Sequence, residues 1–255
     1  MRLVQAGTGA ARDVVLVYHL APEGDGAVRA AIGPGACILN ETVPQASIGA
    51  YGTIGPGGLS TVVGAIGWAQ GQADTFQPRR LMLAGFSAGY IAVRTQLLAG
   101  IDPDAVVVAD GIQSPRPGSP ADVKVWSHYA DEATKGERVF VASHSTQGAT
   151  GLLSTTETLR LVTGFPLDHA GPLDAPVVSR DGKLVVWSFS GNDHHAQGYA
   201  VLPRMLALAM DLLAAPAADA GGGMGPGAVV GIVAGALTAG WVGVRVATKK
   251  PIWPF

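Results

Sequence analysis

The chain of 255 residues carries 17 Lys+Arg against 19 Asp+Glu, a formal net charge of -2, 48% hydrophobic residues and only 14% charged ones. That balance excludes disorder for most of the chain and provides no basic field for nucleic acid. The lone Cys37 excludes a disulfide scaffold and a cysteine zinc site. The length allows one large domain or two small ones, and a mean hydropathy of +0.30 means a rich core or one segment carrying the excess.

The first residues, MRLVQAGTGAARD, include a basic residue but no apolar run behind it. A secretory signal is therefore not expected, and a cytoplasmic location is. Short apolar runs then recur at 13–18 (DVVLVY), 81–84 (LMLA), 105–109 (AVVVA), 138–142 (RVFVA) and 184–189 (LVVWSF), with a weaker one at 36–39 (ACIL). They are continuous rather than alternating and rich in Val, the pattern of strands buried on both faces of a parallel sheet. Helical stretches are expected at 59–72, 90–98, 121–135, 154–162 and 202–215, the last opening with Pro203 in its first turn. Most of 21–58 is rich in Gly and Pro and reads as loop around one strand. Strand alternating with helix gives the fold class: α/β, with a mostly parallel central sheet flanked by helices.

The excess hydropathy sits at the end. Residues 216–227 form a Gly/Ala/Pro linker, and 228–244 (AVVGIVAGALTAGWVGV) carry no charge before Arg245, Lys249 and Lys250. Gly227, Gly231, Gly235, Ala239 and Gly243 recur every fourth residue. On a helix they make a smooth ridge of the kind that lets membrane helices approach closely. An apolar Gly-rich C-terminal helix is expected over 228–244, serving membrane association or self-association. The basic residues that follow would hold that end in the cytoplasm. The body, 1–215, would then have to cross the membrane without a signal, which weighs against simple insertion. The expected organisation is a body at 1–215, a linker at 216–227 and an apolar helix with a basic tail at 228–255.

The chemistry centres on Gly85-Phe86-Ser87-Ala88-Gly89. The apolar run 81–84 precedes it and the helical stretch from Tyr90 follows. A strand-to-helix turn of this kind strains the serine backbone and lifts its hydroxyl above the sheet, and the flanking glycines avoid a clash. A serine hydroxyl needs a base. In sheets of this type the acid and then the histidine follow in sequence. Asp110 ends AVVVAD, and His194 and His195 lie in SFSGNDHHAQG after the last strand. Catalytic groups gather at such carboxyl ends of parallel strands.

With GFSAG, the later Asp and the GNDHH loop in this order, residues 10–215 resemble the α/β-hydrolase superfamily of serine esterases and lipases. In that family the acid most often follows the second strand after the serine. Here that strand leads into Ser143-His144-Ser145-Thr146-Gln147, which holds no acid. The family's alternative is one strand earlier, where Asp110 sits; Asp168 and Asp174 are the fallback, and Asp193 would have to fold back on its neighbour. The order Gly191-Asn192-Asp193-His194 resembles the family's histidine loop, which favours His194 as the base and leaves His195 as a solvated or substrate-facing neighbour. His144 either lines the site or is an ordinary hydrogen-bonded histidine, and His128 and His169 have no supporting context.

The resemblance implies a Ser87-His194-Asp110 triad cleaving carboxylic esters through an acyl-enzyme, with no metal and no cofactor. Two backbone N–H groups would receive the oxyanion, from Ala88 and from Leu20, with His19 shaping the turn. Small-molecule or polymeric esters are the expected substrates. The stretch between Gly111 and Gly136 is too short for a separate lid, leaving Trp126 and Tyr129 as candidate walls of an open site. The competing reading is a non-catalytic structural or assembly protein of the same fold, anchored by its C-terminal helix.

Overall fold

The structure is a computed structural model and describes residues 1–43, 45–115, 120–145, 152–191 and 194–215. The expected linker and apolar helix, 216–255, lie outside the described residues, as do Asn192 and Asp193.

The Val-rich runs become strands because alternate side chains of each find apolar partners on opposite faces. In chain order the elements are β1 (Arg2–Gln5), β2 (Ala11–Tyr18), α1 (Asp25–Ile32), β3 (Cys37–Glu41), α2 (Val62–Gln72), β4 (Gln77–Phe86), α3 (Gly89–Leu98), β5 (Ala105–Ala109) and the short β6 (Ser114–Pro115). There follow α4 (Pro120–Thr134), β7 (Val139–His144), the short β8 (Leu152–Leu153), α5 (Thr155–Thr163), β9 (Val177–Asp181) and β10 (Leu184–Ser188). The last helix runs from α6 (His194–Ala196) through a π turn (Gln197–Val201) into α7 (Leu202–Ala214).

One 8-stranded sheet takes the order β1-β3-β2-β4-β5-β7-β10-β9. From β3 to β10 all neighbours are parallel, and β1 and β9 close the edges antiparallel. Val14, Leu16 and Tyr18 of β2 join the core layer that includes Tyr90 and Val93 of α3 and Trp126 and Ala130 of α4. Val15 and Val17 join the opposite layer, with Val28 of α1 and Leu202, Met205 and Leu206 of α7. Burying each such aliphatic side chain contributes about 1.5–3 kcal/mol, so both faces of the sheet hold the strands in register.

Parallel pairing aligns the carboxyl ends of the central strands. Tyr18 pairs with Gly85, Phe86 with Ala109, Ala109 with Ser143, and His144 with Ser188. The amino end is fastened by charge. Burial alone would raise the Asp13 carboxyl, but Arg79 (2.8 Å) and Arg80 (2.7 Å) hold it down at about 2. Arg80 also donates to the Leu213 carbonyl at 2.8 Å, tying the end of α7 to β4.

The structure differs from the sequence expectation in specific places. The stretch 21–58 holds α1 as well as β3. The helix expected from Leu59 starts at Val62, where the Thr61 hydroxyl caps it by accepting from the Gly64 N–H. The run 81–84 is the middle of a longer strand, β4. Trp126 and Tyr129 are core rather than site walls: Trp126 is fully buried and stacks on Phe140. The Tyr129 hydroxyl donates to the Ile101 carbonyl (3.4 Å) and to Asp102 (3.3 Å), just ahead of the amino end of β5 and away from Ser87. Among the described residues no helix is long and apolar enough to cross a membrane.

Candidate active site

At the end of β4 the chain turns sharply into α3, and Ser87 occupies the turn with φ 50. A positive φ is uncommon outside glycine and is held only by surrounding structure. Here the Ser87 N–H donates to the Ala109 carbonyl at 3.0 Å, and the Ser87 carbonyl accepts from the Tyr90 N–H at 3.1 Å. The turn tolerates no side chain at its flanks. A Cβ on Gly85 would lie 2.7 Å from the Gly89 carbonyl carbon, and one on Gly89 would overlap the Tyr18 carbonyl oxygen.

Asp110 lies one residue past β5, on the strand beside Ser87, also with a positive φ of 45. A Cβ on the following Gly111 would strike the Ser87 carbonyl oxygen. The Asp110 side chain is 1% exposed and accepts three hydrogen bonds from the described residues. Ser145 supplies two of them, its N–H to Oδ1 at 2.9 Å and its hydroxyl to Oδ2 at 2.8 Å. The third is His194 Nδ1, 2.8 Å from Oδ2. The other ring nitrogen, His194 Nε2, lies 2.7 Å from Ser87 Oγ. Serine, histidine and aspartate thus form a continuous chain of hydrogen bonds. The Phe86 ring lies against His194 with ring centres 4.8 Å apart, fixing the imidazole from one side.

The structure therefore brings Ser87, His194 and Asp110 together. The Ala88 and Leu20 N–H groups, at the start of α3 and after β2, donate to no acceptor among the described residues. His195 is exposed on the helix and makes no hydrogen bond to the other three among the described residues. Asp168 pairs with Arg160 at 2.9 Å on the surface, and Asp174 is exposed. His128 lies 3.4 Å from Glu132, and His169 is exposed.

Several supporting residues escape sequence reasoning. Ser143 sits beside Asp110 across the β5–β7 pair: its carbonyl accepts the Asp110 N–H at 3.1 Å, and its hydroxyl lies 3.3 Å from the same N–H. That hydroxyl donates to Gln197 Oε1 at 2.9 Å. Gln197 opens the π turn, a feature frequent at functional sites. The helix carrying His194 is thereby tied to the strand ends carrying Asp110. A Cβ on Gly198 in the same turn would fall 2.8 Å from the Phe86 ring, so the turn packs close under that ring. His144 does not reach the reacting groups. It is 3% exposed, with Nε2 2.8 Å from Ser188 Oγ and Nδ1 2.8 Å from Thr156 Oγ1. Burial pushes its ring down to about 4, so it is neutral near pH 7. Thr156 also donates to the Ser145 carbonyl at 3.2 Å. Among the described residues no group of three or more His, Cys, Asp and Glu side chains is placed to hold a metal ion.

No family model and no curated protein matches the chain. Among solved structures, the crystal structure of TT1662 from Thermus thermophilus is similar to it over 84% of this chain and 98% of that one, at 17% identity and a TM-score of 0.39.

Proposed function

We propose that the protein is a serine hydrolase of the α/β-hydrolase type that cleaves carboxylic esters through an acyl-enzyme. One observation carries this reading: Ser87 Oγ is 2.7 Å from His194 Nε2, and His194 Nδ1 is 2.8 Å from a buried Asp110 carboxylate. His194 takes the proton from Ser87 as the hydroxyl attacks the acyl carbonyl. Asp110 holds the imidazole in the required tautomer and stabilises the imidazolium. The Ala88 and Leu20 N–H groups receive the negative charge that develops on the carbonyl oxygen. His194 then protonates the leaving alcohol, and water releases the acid by the reverse sequence. Residues 1–215 form the catalytic body on this reading, and 216–255 a separate linker and tail.

Backbone strain favours catalysis over an incidental serine in an assembly protein. Among the described residues, four non-glycine residues have positive φ; His19, Ser87 and Asp110 gather here and Leu167 does not. Strain of that kind costs on the order of 1–3 kcal/mol per residue and persists where surrounding structure enforces it. The test is hydrolysis of a p-nitrophenyl ester chain-length series by the wild type and by Ser87→Ala. The wild type turns over with a preference along the series, and Ser87→Ala loses several orders of magnitude. Equal rates in the two would overturn the proposal.

A further inference from the structure

His19 lies between the end of β2 and Leu20, whose N–H receives the oxyanion in the proposed mechanism. It is a non-glycine residue with φ 63. Its ring stands edge-on to Tyr51, with centres 5.6 Å apart, and 6.5 Å from Phe86, the ring that lies against His194. A Cβ on Gly89 would sit 3.1 Å from His19 Cβ, so the His19 turn is packed on the first residue of α3, next to Ala88.

The hydrogen bonds around Tyr51 favour one placement of the proton on the His19 ring. Burial pushes the Tyr51 phenol up to about 12, so it keeps its proton. Its oxygen accepts from the Val43 N–H at 3.1 Å and lies 3.2 Å from His19 Nδ1, the acceptor we assign to its own O–H. Nδ1 is then an acceptor, and in the neutral ring the proton resides on Nε2. Nε2 has no partner among the described residues. Burial, and then the neighbouring His194, hold the His19 ring below the usual histidine range, which keeps it neutral near pH 7.

We propose that His19 is a catalytic residue: its Nε2–H donates to the substrate acyl oxygen beside the Ala88 and Leu20 N–H groups, as a side-chain member of the oxyanion hole. The proton stays on His19 throughout; the bond strengthens as charge grows on the oxygen. Tyr51 is the positioning residue that fixes the tautomer. This inference rests on Ser87 as the nucleophile.

The experiment pairs kinetics with spectroscopy on the full chain. His19→Gly adopts the left-handed backbone without strain, so Leu20 stays in place while the side-chain donor is lost. Its kcat for ester hydrolysis falls about 100-fold with KM little changed. His19→Asn tolerates the same backbone, supplies an amide N–H, and recovers much of that loss. Two-bond 1H–15N spectra of the wild type show the His19 proton on Nε2, and phosphonylation of Ser87 shifts that resonance. A proton on Nδ1, an unmoved resonance after phosphonylation, or full kcat in His19→Gly overturns the assignment. If the wild-type Ser87 does not react with a fluorophosphonate, the nucleophile reading fails and the His19 proposal falls with it. That result is distinct from labelling at Ser87 with an indifferent His19.

Discussion

His144 makes the fold sensitive to acid by an amount the structure sets. The ring is held at about 4 by burial against an ordinary value of 6.5. In the unfolded chain it takes up its proton as the pH falls through 6.5; in the fold it resists until about 4. Between those values the unfolded state binds more protons, so stability declines as the pH falls. Each tenfold difference in proton affinity corresponds to 1.36 kcal/mol, which makes the full loss about 3 kcal/mol. Against a total stability of about 5–15 kcal/mol for a typical protein, that is a sizeable fraction. The perturbation is His144→Asn, measured by urea unfolding beside the wild type at pH 7.5, 5.5 and 4. The variant is less stable at pH 7.5, because the hydrogen bonds to Ser188 and Thr156 are disturbed, but it lacks this group's pH dependence. The gap between the two proteins closes by about 3 kcal/mol across the range. A gap that stays constant with pH would refute the burial argument for His144.

Two further outcomes follow from the site geometry, and a third from the division of the chain at residue 215. Asp110→Asn keeps the shape of the site but removes the charge that fixes the His194 tautomer, and kcat falls by about 10⁴-fold in steady-state ester hydrolysis. Ser145→Ala removes a 2.8 Å hydrogen bond to the Asp110 carboxylate. A bond to a charged group contributes about 1.5–3 kcal/mol, so kcat falls about 10- to 100-fold with KM less affected. Truncation after Ala215 leaves kcat/KM for a soluble ester unchanged, while any sedimentation with vesicles or self-association in analytical ultracentrifugation is lost.

What the sequence reveals of this site depends on how local each signal is. Ser87 is legible because one pentapeptide encodes the turn: Gly85 and Gly89 stand where any Cβ would collide with backbone. Asp110 is legible because it ends an unbroken apolar run, and His194 because it follows the last one. Ser145 and Ser143 are not legible, since their roles exist only through the β5–β7 register that sets Ser143 beside Ala109. The end of β7 and the residue after it hold no acid; they hold Ser143 and Ser145, whose hydrogen bonds reach Asp110 on the neighbouring strand. Gln197 is hidden for a similar reason. Its contact with Ser143 depends on a π turn, which shifts the faces of a helix away from the ordinary period. The edge strands β1 and β9 are short and only partly buried, so neither shows the continuous apolar pattern of the central strands. Trp126 and Tyr129 sit at helical spacing because α4 packs that face onto the sheet, and that packing takes their aromatic surface into the core instead of a site wall.

The central claim is that Ser87 is an activated nucleophile. Treatment of the full chain with a fluorophosphonate probe, followed by peptide mass analysis, tests it most directly. The account predicts stoichiometric modification at Ser87, no modification in Ser87→Ala, and strongly slowed labelling in His194→Ala. An unmodified wild type, or modification at any other serine, would contradict it.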